Sequence, residues 1–269
     1  MKKITTTIAS LALLTGVLAG CNDGKPAKEQ TPTKETEKAE AVELTVSAAA
    51  SLQNALEDLQ KTYEADNENI KIVYNFGGSG ALKQQIEQGA PVDIFFSAAE
   101  DKFDELVEAG SIDEAQGMDL LANELVVVVP KNNEKDIQSF EDLTKAHKIA
   151  LGTPESVPAG KYGVETLENM DLWTAVEPKV VYAKDVRQVL TYTETENVDA
   201  GLVYNTDALI SDKVATIAKA AADTHTPIIY PVGVIKDTKH TAEAEDFYKF
   251  LQSEEAMKVF EQYGFKGAK

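Results

Sequence analysis

The sequence is poor in the residues that build disulfides, metal sites and catalytic triads. It has one cysteine and three histidines among 269 residues. A single cysteine cannot form a disulfide within the chain. His147, His225 and His240 are far apart, and none has the His-x-x-x-His spacing or the cysteine partner of a metal site. None lies near the serine-containing motifs described below, so the sequence does not support a catalytic triad.

Positive charge is also scarce. The chain has 26 lysines and arginines against 45 acidic residues, which gives a formal net charge of −19, and Arg187 is its one arginine. Such an acidic chain is a poor match for nucleic acid, and we expect no nucleic-acid partner. A small anion is not excluded, because salt screens charges beyond about 8 Å. The backbone dipoles at a helix end act over distances shorter than this screening length, so they still attract a small anion.

Long apolar runs are absent apart from one near the amino terminus. Residues 1–20 have the charged-then-apolar order of a signal peptide, and the apolar stretch is shorter than the roughly 20 residues of a membrane span. It ends in Leu-Ala-Gly-Cys at residues 18–21, which resembles the lipobox of bacterial lipoproteins. This resemblance implies lipidation of Cys21; a buried free thiol is the alternative. Residues 21–41 are polar, lack aromatics and predict a flexible linker.

From residue 42 onward, short β-branched segments alternate with helical patterns. The strand candidates are 43–47, 70–75, 92–97, 125–129, 148–151, 179–183 and 201–204. Leu52, Leu56, Leu59 and Tyr63 recur at helical spacing between the first two strands. This alternation predicts an α/β fold with helices on both faces of mainly parallel sheets.

Two extended segments, 125–130 and 228–235, are long enough to connect two lobes as hinge strands. A chain that crosses between the lobes twice builds one lobe from two separate stretches of sequence. We therefore predict a first lobe of residues 42–124 and 232–269, and a second lobe of residues 125–231.

Four junctions between a strand and a helix indicate the function. The first turn of a helix presents unpaired N–H groups and about half a positive charge, which suits an anion. The first junction, 47–52, places Ser51 as a helix N-cap. The second, 75–82, is a glycine-rich turn around Ser79, where the backbone can approach a ligand closely. For each junction alone, an ordinary helix cap is the alternative interpretation.

The other two junctions lie in the second predicted lobe. The third, 153–162, contains Pro158, which suits the first helical turn and leaves the N–H of Ala159 free. The fourth, 183–187, has Asp185 as the cap of a helix that begins at Val186. The glycine-rich turn lacks the lysine of a P-loop and the final glycine of a GxSxG motif. Nucleotide binding and hydrolase chemistry are therefore weak hypotheses.

Together with residues 201–204, the four junctions resemble the molybdate-binding proteins of ABC transporters in order and spacing. The resemblance covers essentially all of residues 42–269. It implies a two-lobed periplasmic-binding-protein fold of type II, with the ligand enclosed between the lobes. By the same resemblance, Ser51 and Ser79 offer backbone N–H and hydroxyl groups, Ala159 and Val186 offer backbone N–H groups, and Tyr204 offers its phenol.

The resemblance implies a receptor that is not an enzyme. It would capture molybdate, and tungstate with it, and deliver the oxyanion to a transporter permease and its ATPase. We expect a monomer held to the cell membrane by lipid at Cys21, facing outside the cytoplasm. It would have no cofactor and would bind molybdenum only as the oxyanion. Arg187 adjoins a binding position and is expected to form a salt bridge near the cleft, with direct binding of the oxyanion as the alternative.

Two other functions remain open from the sequence. A site made only of donors suits a fully deprotonated dianion, whereas phosphate at neutral pH carries a proton and needs an acceptor. Sulfate has the same bonding pattern as molybdate in a smaller ion, so a receptor for sulfate or another tetrahedral oxyanion is one alternative. A membrane-anchored serine hydrolase that uses Ser51 or Ser79 is the other.

Overall fold

The computed structural model describes residues 41–268. In this range the chain forms eleven β-strands in two sheets, nine α-helices and three short 3-10 turns. The strands are β1 (Val42–Ala49), β2 (Ile70–Gly77), β3 (Ile94–Phe96), β4 (Ile112–Ala122), β5 (Leu125–Pro130), β6 (Ile149–Gly152), β7 (Val180–Ala183), β8 (Ala200–Tyr204), β9 (Val214–Lys219), β10 (Ile229–Ile235) and β11 (Lys266–Gly267). All seven strands predicted from the apolar segments are present.

The helices follow the amphipathic patterns of the sequence. They are α1 (Gln53–Asp66), α2 (Ser79–Glu87), α3 (Glu100–Glu108), α4 (Pro158–Asn169), α5 (Trp173–Val176), α6 (Val186–Glu194), α7 (Asn205–Leu209), α8 (Thr241–Leu251) and α9 (Glu254–Gln262). The 3-10 turns are Ala50–Leu52, Glu141–Lys145 and Glu177–Lys179. In α1, for example, Leu56 and Leu59 are fully buried because the helical spacing places them on one face.

The first sheet has the strand order β11-β4-β10-β3-β1-β2. Successive residues of β3 point to opposite faces of this sheet, as strand geometry requires. Phe96 packs in a cluster with residues of α1, α8 and α9, whereas Phe95 packs in a second cluster with residues of α2 and α3. Helices therefore cover both faces, as predicted.

The second sheet has the strand order β7-β6-β8-β5-β9. It too is covered on both faces. A side chain at Gly201 would meet Thr193 of α6, whereas the adjacent Leu202 lies against Gly163 of α4. We call the residues built around the two sheets the first lobe and the second lobe.

The prediction of mainly parallel sheets was wrong. Four of the nine strand pairs in residues 41–268 are parallel and five are antiparallel. β5 and β10, which enter each sheet from the other lobe, run antiparallel to both of their neighbours. A continuous apolar sequence reports burial on both faces of a strand, but it does not report the direction of its neighbours.

The chain crosses between the sheets twice. Asn123 and Glu124 separate β4 from β5, and residues 220–228 separate β9 from β10. The N–H of Asn123 donates to the carbonyl of Ile228 over 3.0 Å, so the two crossings are adjacent. The segments predicted as hinge strands lie within the sheets as β5 and β10, and only their first residues adjoin a crossing. The lobe limits remain a prediction, although β10 already pairs with β4 at Ile229, before the predicted limit at 231.

Candidate functional site

A small cavity lies where the carboxyl ends of strands from both sheets meet. Its volume is about 10 Å³, close to the space that one water molecule needs. It is lined by Ala49, Ser51, Gly77, Gly78, Ser79, Ala98, Val157, Pro158, Ala159, Val186 and Tyr204. The structure thus brings together all five residues that the sequence resemblance singled out as ligand-binding. None of the lining side chains carries a charge.

Ser51 follows β1 in the 3-10 turn that leads into α1. It was expected to cap this helix, and that expectation was wrong: Leu52 occupies the N-cap of α1, and no side chain caps it. The Ser51 hydroxyl lies instead 2.9 Å from the hydroxyl of Tyr230 on β10. This contact links the turn after β1 to β10.

Ser79 is the first residue of α2. Gly78 precedes it in an extended conformation as the N-cap and has no side chain to satisfy the first helical N–H groups. The Ser79 hydroxyl oxygen accepts a hydrogen bond of 2.9 Å from the N–H of Ala98. Its own proton has no acceptor among the described residues, because this is the only hydrogen bond that the hydroxyl forms there. Since the hydroxyl lines the cavity, its proton is available to a ligand.

Ala159 and Val186 lie at the amino-terminal ends of α4 and α6. Pro158 occupies the first position of α4, as predicted, and no side chain caps that helix. The carboxylate of Asp185 accepts a 2.8 Å bond from the N–H of Gln188, which confirms Asp185 as the cap of α6. This cap uses the third N–H of the helix and leaves that of Val186 outside the capping bond. Both helix ends direct their dipoles toward the cavity.

Tyr204 ends β8 and is almost completely buried. Its hydroxyl has no hydrogen-bond partner in the part of the chain that the structure describes. Burial, with a smaller contribution from the nearby Tyr230, raises the pKa of Tyr204 well above its ordinary value, so the phenol keeps its proton. Leaving a buried donor unpaired costs about 1 to 3 kcal/mol. A ligand that accepts a hydrogen bond from the Tyr204 hydroxyl would remove this cost.

Arg187 does not line the cavity. Its Nε lies 2.7 Å from Oδ1 of Asp207, and its Nη2 donates to the carbonyl of Ser51 over 3.2 Å. The structure therefore shows the predicted salt bridge, and it also links Arg187 to the first lobe. Burial raises the pKa of Asp207 to about 6, although the Arg187 charge acts in the opposite direction. The sequence did not indicate a role for Asp207, because nothing in its local pattern reveals its burial.

The lobes touch directly beside the cavity. The N–H of Gly80 donates to the carbonyl of Ser156 over 3.0 Å, and Lys161 forms a 3.0 Å ion pair with Asp101. A Cβ atom at Gly78 would lie 2.5 Å from the Ser156 carbonyl oxygen. The glycine-rich turn therefore lets the backbones of the two lobes approach each other more closely than any larger residue would allow.

The hydrolase alternative requires a base beside Ser51 or Ser79. Among the described residues, neither Ser51 nor Ser79 forms a hydrogen bond with a histidine. His240 lies beside Asp93, and His225 lies against Tyr162.

Residues 41–268 also contain no cluster of metal-binding side chains. No helix in this range has the length and apolar character to cross a membrane. Cys21, the predicted signal peptide and all of the predicted linker except Ala41 lie outside the described residues.

Comparisons with known proteins are consistent with this geometry. Residues 44–266 match the family model described as bacterial extracellular solute-binding protein. A Bacillus subtilis protein, YvgL, named as a candidate ABC transporter substrate-binding lipoprotein, is 54% identical over 98% of both chains. The molybdate-binding protein ModA of Haemophilus influenzae is 37% identical over 84% of this chain and 91% of its own.

A solved structure shows the same fold. The substrate-binding domain of a molybdenum ABC transporter candidate from Clostridium difficile is 42% identical, with a TM-score of 0.65 over 85% of this chain and 100% of that one. This similarity confirms the predicted two-lobed binding-protein architecture. Together with the sequence matches, it also confirms the family resemblance that the four junctions indicated.

Proposed function

Because this chain belongs to the family of bacterial extracellular solute-binding proteins, we propose that it captures molybdate or tungstate between its two lobes. The family is one of receptors rather than enzymes. Relatives that are named as molybdate-binding proteins support the choice of ligand. In this proposal Ser51, Ser79, Ala159, Val186 and Tyr204 bind the oxyanion.

The unpartnered hydroxyl of Tyr204 is the observation that carries the proposal. It lies in a cavity that also receives the Ser79 hydroxyl and the N-terminal ends of three helices, and no carboxylate lines this cavity. A molybdate dianion has four oxygens that only accept hydrogen bonds. Charge-assisted bonds of this kind contribute about 1.5 to 3 kcal/mol each.

The protonation of the ligand separates molybdate from phosphate. At neutral pH, phosphate carries a proton that needs an acceptor, and the lining offers no carboxylate to take it. Sulfate has no such proton, so a sulfate receptor is the second candidate within this class. Ion size has to separate sulfate from molybdate, and the similarity to molybdate-binding relatives favours the larger ion.

Binding requires the lobes to move. The cavity of about 10 Å³ holds little more than a water molecule, whereas a tetrahedral oxyanion is larger. In the proposed cycle the lobes separate at the crossings Asn123–Glu124 and 220–228, the ion enters, and the lobes close on it. The closed form then docks on the permease of an ABC transporter, which works with its ATPase.

A lipid on Cys21 would hold the receptor at the outer face of the cell membrane. The relative named as a lipoprotein, which aligns over 98% of this chain, supports this anchor. Cell fractionation tests the anchor. The chain should sediment with membranes, and a Cys21→Ser variant should be released; a variant that remains with the membranes would contradict the anchor.

Ser79→Ala separates the receptor from the hydrolase. Loss of the hydroxyl removes one donor, so molybdate affinity measured by calorimetry should fall by about tenfold or more. Neither the wild type nor the variant should hydrolyse a panel of chromogenic esters. Ser139→Ala, at a serine outside the cavity, is the matched control. Ester turnover that disappears in Ser79→Ala would contradict the receptor and favour the hydrolase.

A further inference from the structure

A chain of hydrogen bonds leads from the first crossing between the lobes to the cavity. It begins at Asn123, whose Oδ1 accepts a 2.9 Å bond from the N–H of Glu124. This bond fixes the orientation of the amide, because the opposite orientation would bring two donors together. The Asn123 amide nitrogen then donates to the hydroxyls of Thr206 at 2.9 Å and Tyr230 at 3.1 Å.

The direction of the next bond follows from the protons that are available. The Tyr230 hydroxyl is buried and has two partners among the described residues, Asn123 and Ser51. It accepts from Asn123. The Tyr204 hydroxyl lies near it but forms no hydrogen bond of ordinary geometry with any described residue, so the acceptor that remains for the Tyr230 proton is the Ser51 hydroxyl oxygen at 2.9 Å. The reverse direction would leave a buried phenol proton without an acceptor, which is costly. Tyr230 therefore donates to Ser51.

The Ser51 hydroxyl is consequently oriented. Because its oxygen accepts from Tyr230, its proton cannot point to Tyr230 and is free for the cavity that Ser51 lines. The Ser79 hydroxyl proton is also free for the cavity, because the Ser79 oxygen accepts a hydrogen bond from the N–H of Ala98. Both serines thus face the cavity as donors before any ligand arrives.

We propose that Tyr230 and Asn123 are positioning residues that fix the Ser51 hydroxyl as a donor to the bound oxyanion. This inference rests on the proposed oxyanion-binding function and assigns roles to two residues that do not line the cavity. Tyr230 acts only through Ser51. Its effect on ligand binding must therefore depend on the presence of the Ser51 hydroxyl.

A double-mutant cycle tests this dependence. Molybdate affinity is measured by calorimetry for the wild-type chain, Tyr230→Phe, Ser51→Ala and the double variant. Tyr230→Phe should lower affinity about tenfold in the wild-type background, because the freed Ser51 hydroxyl loses its fixed direction. In the Ser51→Ala background the same change should lower affinity by less than about twofold, since no hydroxyl remains to be oriented.

The outcomes separate this inference from the function on which it rests. Equal losses in both backgrounds, or no loss in the wild-type background, would overturn the roles of Tyr230 and Asn123 while leaving the receptor intact. A wild-type chain that binds no oxyanion would overturn both. Tyr248→Phe, at a tyrosine whose hydroxyl is outside this chain of bonds, is the matched control. Asn123→Leu should lower affinity in the same direction as Tyr230→Phe, and unchanged affinity would remove Asn123 from the chain.

Discussion

The hydroxyl of Tyr204 is a buried donor without a partner in the described part of the chain. Most buried polar groups in native proteins are paired, so an exception of this kind favours a functional cause. The same residue is easy to remove with little structural damage, because phenylalanine fills the same space. It therefore offers a test in which binding and stability respond differently.

Tyr204→Phe should weaken molybdate binding roughly tenfold to hundredfold, because one oxygen of the anion loses its charge-assisted donor. The free energy of unfolding in urea should stay the same or rise slightly, since no hydrogen bond of the unliganded protein is lost. Tyr182→Phe, at an exposed tyrosine of β7, is the matched control. Unchanged affinity would remove Tyr204 from the site.

Residue identities alone reveal only part of this site. The strand-to-helix junctions that contain Ser79, Ala159 and Val186 were predictable from local patterns, and the family resemblance then singled out these three residues within them. Tyr230 was not, because its partner Ser51 is 179 residues away in sequence. Its position beside Ser51 depends on how β10 enters the first sheet. No local pattern of β-branched and apolar residues encodes that arrangement.

Asp207 makes stability depend on pH. Its carboxyl has an ordinary pKa of 3.8, and burial raises this pKa to about 6 in the folded protein. The protonated form is therefore favoured by folding, so the stability that this group contributes is fully present below pH 3.8. It is lost as pH rises through 6. The loss is about 3 kcal/mol for a shift of this size.

Comparison with Asp207→Asn isolates this contribution. The free energy of unfolding of the wild type, minus that of the variant, should fall by about 2 kcal/mol between pH 4 and pH 7, because part of the total loss already occurs below pH 4. Urea denaturation followed by circular dichroism at several pH values measures it, with Asp66→Asn at an exposed position as the control. A difference that grows with pH would mean that Arg187, rather than burial, dominates the pKa of Asp207.

At the scale of elements, the strand-to-helix junction is the repeated unit of this protein. Three helices of nine or more residues, α2, α4 and α6, begin at the cavity, and their starts combine glycine, proline and a capping aspartate. These starts were predictable because caps and helix breakers act locally. β4 and β9 were not predicted, because acidic residues interrupt β4 and a threonine interrupts the apolar residues of β9, so neither gives a continuous apolar signal.

The glycine-rich turn before α2 allows the lobes to meet, which Gly78→Ala tests. The added methyl group would lie 2.5 Å from the Ser156 carbonyl oxygen and 3.0 Å from a methyl group of Val157. Backbone atoms cannot yield cheaply, so the lobes would close less completely. Molybdate affinity should fall by about tenfold or more.

Gly267→Ala is the control for this substitution, because its methyl group would meet only the end of the Met257 side chain at 3.6 Å. Small-angle scattering with and without molybdate reports the closure of each variant. An unchanged affinity and an unchanged compaction in Gly78→Ala would show that the contact between the turn and Ser156 does not limit closure.

At the scale of the whole molecule, the proposed function requires an acidic protein to bind an anion. The net charge of −19 repels a dianion at long range, whereas the helix ends and hydroxyls attract it only at short range. Salt screens the long-range repulsion by the net charge much more than the short-range attraction by the helix ends and hydroxyls. The Debye length falls from about 30 Å at 0.01 M to about 8 Å at 0.15 M. Capture and retention of the ion therefore respond differently to ionic strength.

The association rate of molybdate should rise when salt is increased from 10 to 150 mM, because repulsion by the acidic surface is reduced. Stopped-flow fluorescence of Trp173, the only tryptophan, offers a readout. An association rate that falls with salt would mean that a local positive field steers the ion, and it would point to Arg187 or a lysine near the entrance.

The central claim is that the cavity selects a large, fully deprotonated tetrahedral oxyanion. Calorimetric titration of the purified, anion-free protein with molybdate, tungstate, sulfate and phosphate tests it most directly. We predict tight binding of molybdate and tungstate, much weaker binding of sulfate and no measurable binding of phosphate. Sulfate binding as tight as molybdate binding would contradict selection by size, and a protein that binds none of the four ions would contradict the receptor itself.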